Sequence, residues 1–193
     1  LKNCGRDILF SACNWGEDNV HDWIRESGCH SYRSTGDIQD NWDSIRNIAL
    51  SQIDKKAFTG NYCHNDMDML VGGMYGGSNS DWIGSKIGGC TDAQYKSHFS
   101  LWAMQCSPLI IGADINKLSD EHLAILKNKE IIAINQDEDA RPPQMFADWT
   151  NKEKFTLVRM LSNNEYAIGV FNLSDDESTV VTSLLDVGLP FDS

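Results

Sequence analysis

Carboxyl and guanidinium side chains gather in short polar clusters along this chain, and each cluster lies at or near the end of an apolar run. Asn14 and Trp15 follow "DILFSAC", residues 7 to 13, while Arg33 and Asp37 stand four apart in "YRSTGDI", residues 32 to 38. Asp66 and Asp68 fall in "HNDMDMLV", residues 64 to 71, and Asp114 comes near the end of "PLIIGADI", residues 108 to 115. Aspartates can accept or deliver a proton, and a guanidinium can hold a carboxylate or another oxygen-rich group. Helix caps and loop ion pairs are the competing explanation, because carboxylates are common in loops and exposed pairs contribute little.

Positioning such groups around one pocket requires parallel strands whose carboxyl ends open onto diverging loops. The elements of the chain alternate in that way. "DILFSAC" reads as a buried strand, and Asp40 is placed to cap a helix with Trp42, Ile45, Ile48, Ala49 and Ile53 on its apolar side. The run from 64 to 71 is a further strand, followed by a glycine-rich loop from Gly72 to Gly89. Thr91 with Gln94 forms a capping box for a helix carrying Tyr95, Phe99, Trp102, Ala103 and Cys106 on one face. "PLIIGADI" is another buried strand, and Ser119 caps a helix bearing Leu123 and Leu126. From Phe155 the texture changes to alternating strands, "KFTLVRML", "EYAIGVFNL" and "STVVTSLL", expected to form an antiparallel sheet. A division near residue 145 gives an α/β part, 1–145, and an antiparallel part, 146–193.

Composition narrows the functional classes. Hydrophobic residues make up 41% and charged residues 23% of 193, a globular balance, and no apolar run approaches the length of a membrane span. A net charge of -12 repels a phosphate backbone, so neither nucleic acid nor membrane is an expected partner. The chain opens on Leu1 without a visible leader and reads as a piece of something longer. Its six cysteines lack the C-x-x-C pairs of zinc or redox sites, so neither a metal nor a cofactor is expected. Cys13 and Cys29 could close a short loop in an oxidising compartment, whereas Cys63 and Cys106 read as buried thiols.

Five ordered motifs resemble the glycoside hydrolase family of α-galactosidases and α-N-acetylgalactosaminidases, family 27. "ILFSACNWG" is similar to its strand-five motif, "YRSTGDI" to its strand-six motif, and "HNDMDMLVGG" to its "W-N-D-P-D-M-L" on strand seven. "SHFSLWAMQCSPLIIGADI" and "IIAINQD" match further along. The chain departs from the pattern at Met67, where the family has proline, and at Cys63 or His64, where it has tryptophan. The resemblance implies the C-terminal half, strands five to eight, of a (β/α)8 TIM barrel, followed by a truncated antiparallel β-domain.

The implied activity is retaining hydrolysis of terminal α-linked galactose, which needs two carboxyl groups roughly 5 Å apart. By this resemblance Asp37 is the general acid/base. Arg33, Asp68, Met69, Cys13, Asn14 and Trp15 are substrate-binding residues, with an α-galactoside as the substrate. Trp15, in the Cys-x-Trp loop, fills space that an N-acetyl group would need, which favours galactose over N-acetylgalactosamine; a plain core residue is the alternative. Cys13 and Cys29 are implied as a disulfide. A complete barrel takes about 250 residues, so strands one to four and the "K-Y-D" nucleophile motif are expected elsewhere. A catalytic acid must hold its proton, while a neighbouring guanidinium favours release, so the 193-residue chain alone is expected to be inactive. The open strand edges at "DILFSAC" and "PLIIGADI" call for the N-terminal half of the barrel or a second copy as partner. α-N-Acetylgalactosaminidase and a noncatalytic carbohydrate-binding remnant remain the alternative functions, and the compartment stays open.

Overall fold

The computed structural model describes residues 1, 3–53, 55, 59–76, 88–147, 153–180 and 182–189. Three short strands, β1 (Ser11–Cys13), β2 (Ser31–Arg33) and β3 (His64–Asp66), form a parallel sheet in the order β1-β2-β3. Their register sets Cys13 beside Arg33 and Arg33 beside Asp66, so these three side chains share one end and one face of the sheet. β1 is shorter than the apolar run from residue 7 suggests, and Leu9 is 74% exposed. "PLIIGADI" forms no extended strand among the described residues. It contributes one parallel bridge, Leu70 to Ile111, closed by Leu70 N–H donating to Ile110 O and Gly112 N–H to Leu70 O. Ile110 and Ile111 are exposed rather than buried.

Among the described residues four α-helices pack around this frame: α1 (Trp42–Ile53), α2 (Asp92–Met104), α3 (Asp120–Leu126) and α4 (Lys129–Asn135). α1 follows the apolar spacing of its sequence and buries Ile45, Ala49 and Ile53. Its cap differs from the expected one, because Asn41 Oδ1 accepts the Ser44 N–H at 2.8 Å. Asp40 is instead fully buried and accepts bonds from the Tyr95 hydroxyl at 2.6 Å and the Gly76 N–H at 2.7 Å. A carboxylate bound by residues so distant in sequence gives no local signal. The Thr91–Gln94 capping box forms as expected, and Ser119 accepts the His122 N–H at the start of α3. Part of the glycine-rich loop, residues 77–87, lies outside the described residues.

A second sheet joins β4 (Gln144–Ala147), β5 (Lys154–Met160) and β6 (Tyr166–Asn172), antiparallel, in that order. β5 and β6 fall on the runs that the sequence marks as strands, but only β6 alternates; β5 is buried at every position from Phe155 to Arg159. The third strand is β4 rather than "STVVTSLL", whose described residues form no strand; Leu189 N–H turns back onto Leu184 O at 2.8 Å. One apolar core runs from Ile45, Met67 and Val71 through Trp102 to Phe155, Leu157 and Phe171, so the second sheet packs directly on the helices. Arg159 of β5 has no exposure and donates from Nη1 to Ala103 O and Ile134 O, satisfying carbonyls at the ends of α2 and α4. No described helix is long and apolar enough to cross a membrane.

The implied Cys13–Cys29 disulfide is not formed. Cys13 pairs in register with Arg33, four residues beyond Cys29, and at ~3.3 Å per residue the two backbones are offset by about 13 Å. A disulfide needs Cα atoms within ~7 Å. Cys13 is exposed and free, while Cys29 is buried with its sulfur 3.4 Å from that of Cys63. Cys63 and Cys106 are buried thiols, as their sequence context suggests.

Candidate active site

The end of β2 supplies the central group. Arg33 Nη2 lies 3.1 Å from Asp37 Oδ1 and 2.9 Å from Asp68 Oδ2, and it also donates to the carbonyls of Thr35 and Gly36. The residues that the sequence places on two separate strands are therefore brought together around one guanidinium. Asp37 has a side chain 65% exposed, whereas those of Arg33 and Asp68 are 15% and 12% exposed. One carboxyl group is thus presented to solvent from a rigid, mostly covered pair.

Asp68 is fixed from several directions. Its Oδ2 accepts the Ile38 N–H at 2.7 Å, just after Asp37, and its Oδ1 accepts the Met69 N–H at 2.7 Å. Its own N–H donates to Asp66 Oδ1, and its carbonyl accepts the indole N–H of Trp102 at 2.7 Å. The backbone there takes φ 79°, a left-handed conformation that costs a non-glycine residue of order 1 kcal/mol and persists because these bonds over-determine it. Met69 follows half-buried, its thioether packed against Gly112, where a Cβ would collide with it.

The loop after β1 carries Cys13, Asn14 and Trp15. Asn14 closes it locally, donating to Glu17 O and accepting the Gly16 N–H. Gly16 adopts φ 87°, and any Cβ would drive into the backbone oxygen of Ser34. The loop therefore packs against the turn after β2 only because this residue has no side chain. Trp15 is 57% exposed at φ 59°, a surface indole rather than a core residue.

Asp66 is the member of the cluster that sequence reasoning left without a role. Burial pushes its carboxyl above the usual carboxylate range; the Asp68 N–H and Arg33 pull the other way, and the Asp68 charge adds to the rise. Its register with Arg33 was the signal that could have found it. Asp114 takes no part: its carboxylate caps Asn116 and meets Lys117 at 3.4 Å, and the Asn116 N–H holds it below the usual range. No group of three or more His, Cys, Asp or Glu side chains among the described residues is arranged to hold a metal ion. Carboxyl groups gathered around one fixed guanidinium, at or near strand ends, suit recognition of a hydroxyl-rich ligand and proton transfer to it.

Comparison with known proteins identifies the family to which the chain belongs. The family model described as alpha galactosidase A matches residues 1–137. The alpha-galactosidase of Cyamopsis tetragonoloba is 35% identical over 189 residues, covering 98% of this chain and 42% of that protein. A Bacteroides fragilis structure of a candidate alpha-galactosidase/melibiase superposes with a TM-score of 0.88 at 36% identity, over 95% of this chain and 39% of that one. The alpha-galactosidase of Saccharomyces cerevisiae, solved with raffinose, gives a TM-score of 0.69 at 28% identity, over 87% of this chain and 41% of that one. The chain thus spans about two fifths of the length of the relatives it matches. On this match of sequence and fold, the chain belongs to the alpha-galactosidase A (melibiase) family.

Proposed function

We propose that this chain is part of a retaining glycoside hydrolase that cleaves terminal α-linked galactose, with Asp37 as general acid/base. The observation that carries the reading is the Arg33 guanidinium, held between exposed Asp37 and covered Asp68 at the carboxyl end of a parallel strand. Residues 1–145 correspond to the strand-five to strand-eight half of a (β/α)8 barrel, with the Leu70–Ile111 bridge standing at the place of strand eight, and residues 146–193 belong to a following antiparallel domain. The remaining strands of the barrel, or a second copy of the chain, cover the exposed apolar edges at Leu9 and at Ile110 and Ile111.

In the first step the Asp37 carboxyl gives its proton to the glycosidic oxygen as a carboxylate on the other part of the barrel attacks the anomeric carbon. In the second step Asp37, now ionised, takes a proton from the water that releases the sugar. Arg33 and Asp68 bind hydroxyls beside the reacting carbon and keep Asp37 in place. Met69 lines the pocket, and Cys13, Asn14 and Trp15 form the wall over the neighbouring substituent.

The test is to assay the full-length polypeptide on alkyl α-galactoside and alkyl α-N-acetylgalactosaminide, following the anomer first released by NMR. Galactoside turnover with release of the α-anomer supports the reading. Turnover of only the acetamido substrate assigns the alternative specificity, and release of the β-anomer contradicts retention. Trp15→Ala should raise turnover of the acetamido substrate relative to the galactoside by about 10-fold or more, the scale of a lost steric exclusion.

A further inference from the structure

Cys29 and Cys63 take no part in the sugar site, yet the fold brings them together from 34 residues apart. Their sulfurs are 3.4 Å apart, and the residues are only 2% and 3% exposed. Cys29 lies two residues before β2, and Cys63 directly precedes β3. Val20, Ile24 and Tyr32 enclose the pair in a small apolar cluster, to which Phe10 and Ala12 add. The His64 N–H donates to His30 O at 2.9 Å, and the Cys63 N–H bonds to Gly60 O, so the backbone holds the two sulfurs at one level.

We propose that Cys29 and Cys63 are a reversible disulfide site that staples the amino ends of β2 and β3. A disulfide bond is about 2.0 Å long, so the two sulfurs need only a short approach from their present contact. The oxidant is a small-molecule disulfide. One cysteine thiolate attacks a sulfur of that oxidant and expels one thiol. The second thiolate then attacks the protein sulfur of the mixed disulfide and expels the other. One S–S bond forms in the protein, one breaks in the oxidant, and the two cysteine protons end on the released thiols.

Burial pushes the Cys63 thiol up to about 11, its contact with Cys29 adds to this, and the Arg25 guanidinium opposes both. The covered pair should therefore oxidise slowly near neutral pH and faster as pH rises. The staple sits at the opposite ends of the strands from Arg33 and Asp66, so it should restrain the sheet without touching the sugar site. Closing a loop of this length raises stability mainly by limiting the unfolded chain.

The test uses the full-length polypeptide, incubated with oxidised glutathione at mildly alkaline pH, then denatured, alkylated and mapped by mass spectrometry without reduction. The expected result is a cross-linked peptide joining Cys29 to Cys63, reversed by reductant, with a higher Tm in the oxidised form. The link should persist in Cys13→Ser and be absent in Cys63→Ser. The proposal fails if Cys29 is recovered joined to Cys13. It also fails if Cys29 and Cys63 are both alkylated in a sample whose exposed Cys4 and Cys13 have reacted with the oxidant.

Discussion

Arg33 Nη2 lies 3.1 Å from Asp37 Oδ1 and, on the same nitrogen, 2.9 Å from Asp68 Oδ2. One planar guanidinium therefore fixes the separation of two carboxyl groups contributed by different strand ends. The N–H bonds of that nitrogen point in fixed directions within the guanidinium plane, whereas an ammonium is a single point of charge on a flexible stem.

Arg33→Lys should consequently preserve the charge and lose the alignment. In the full-length polypeptide the expected outcome is a fall in galactoside turnover of about 100-fold, the scale of a misplacement near 1 Å, with little change in Tm. Steady-state kinetics beside a thermal melt check this. Retention of full activity in the lysine variant would mean that the guanidinium geometry is not used.

Gly16→Ala addresses the loop after β1. The added methyl meets the Ser34 carbonyl at a φ that side-chain residues rarely adopt, so a loss of about 1–3 kcal/mol is expected. Chemical denaturation measures the loss, and KM should rise because Asn14 and Trp15 shift. An unchanged midpoint would show that the loop can move away from the β2 turn without cost.

His98 on α2 gives a pH dependence. It is fully buried against Trp102, its ring nitrogens have no hydrogen-bond partner among the described residues, and burial drives its imidazole down to about 3, with His122 reinforcing the effect. The folded value is depressed below the unfolded ~6.5, so the contribution to stability is present above ~6.5 and is lost as pH falls toward 3. Each proton excluded gives a slope of about 1.4 kcal/mol per pH unit. His122, also lowered by burial, adds to it. Unfolding midpoints between pH 6.5 and 5 should therefore fall, and less steeply in His98→Phe. Identical slopes in the two proteins would contradict the assignment.

Much of the frame was legible because its signals are local. The apolar spacing of α1, the Thr91–Gln94 box, the Ser119 cap and the alternation of β6 all act within a few residues. What escaped depends on contacts between distant segments. Asp40 is engaged by Tyr95, 55 residues away, so an adjacent asparagine takes the capping role expected of it. The partner of Cys29 is set by the β2–β3 register rather than by spacing to Cys13. Hydrophobic content also misled at Ile110 and Ile111, whose exposure in this chain is the opposite of a buried strand. The convergence of Arg33, Asp37 and Asp68 was readable from whole motifs, whereas the rise at Asp66 needed the fold, since burial causes it.

The central claim is that Asp37 moves the proton of the reaction, and Asp37→Asn in the full-length polypeptide tests it most directly. Turnover is compared on an alkyl α-galactoside, which needs a proton on its leaving oxygen, and on a nitrophenyl α-galactoside, which needs it far less. The account predicts a loss of about 10²–10⁴-fold on the alkyl substrate and a clearly smaller loss in forming the glycosyl intermediate from the nitrophenyl one. Equal losses on both substrates, or no loss on the alkyl galactoside, would contradict it.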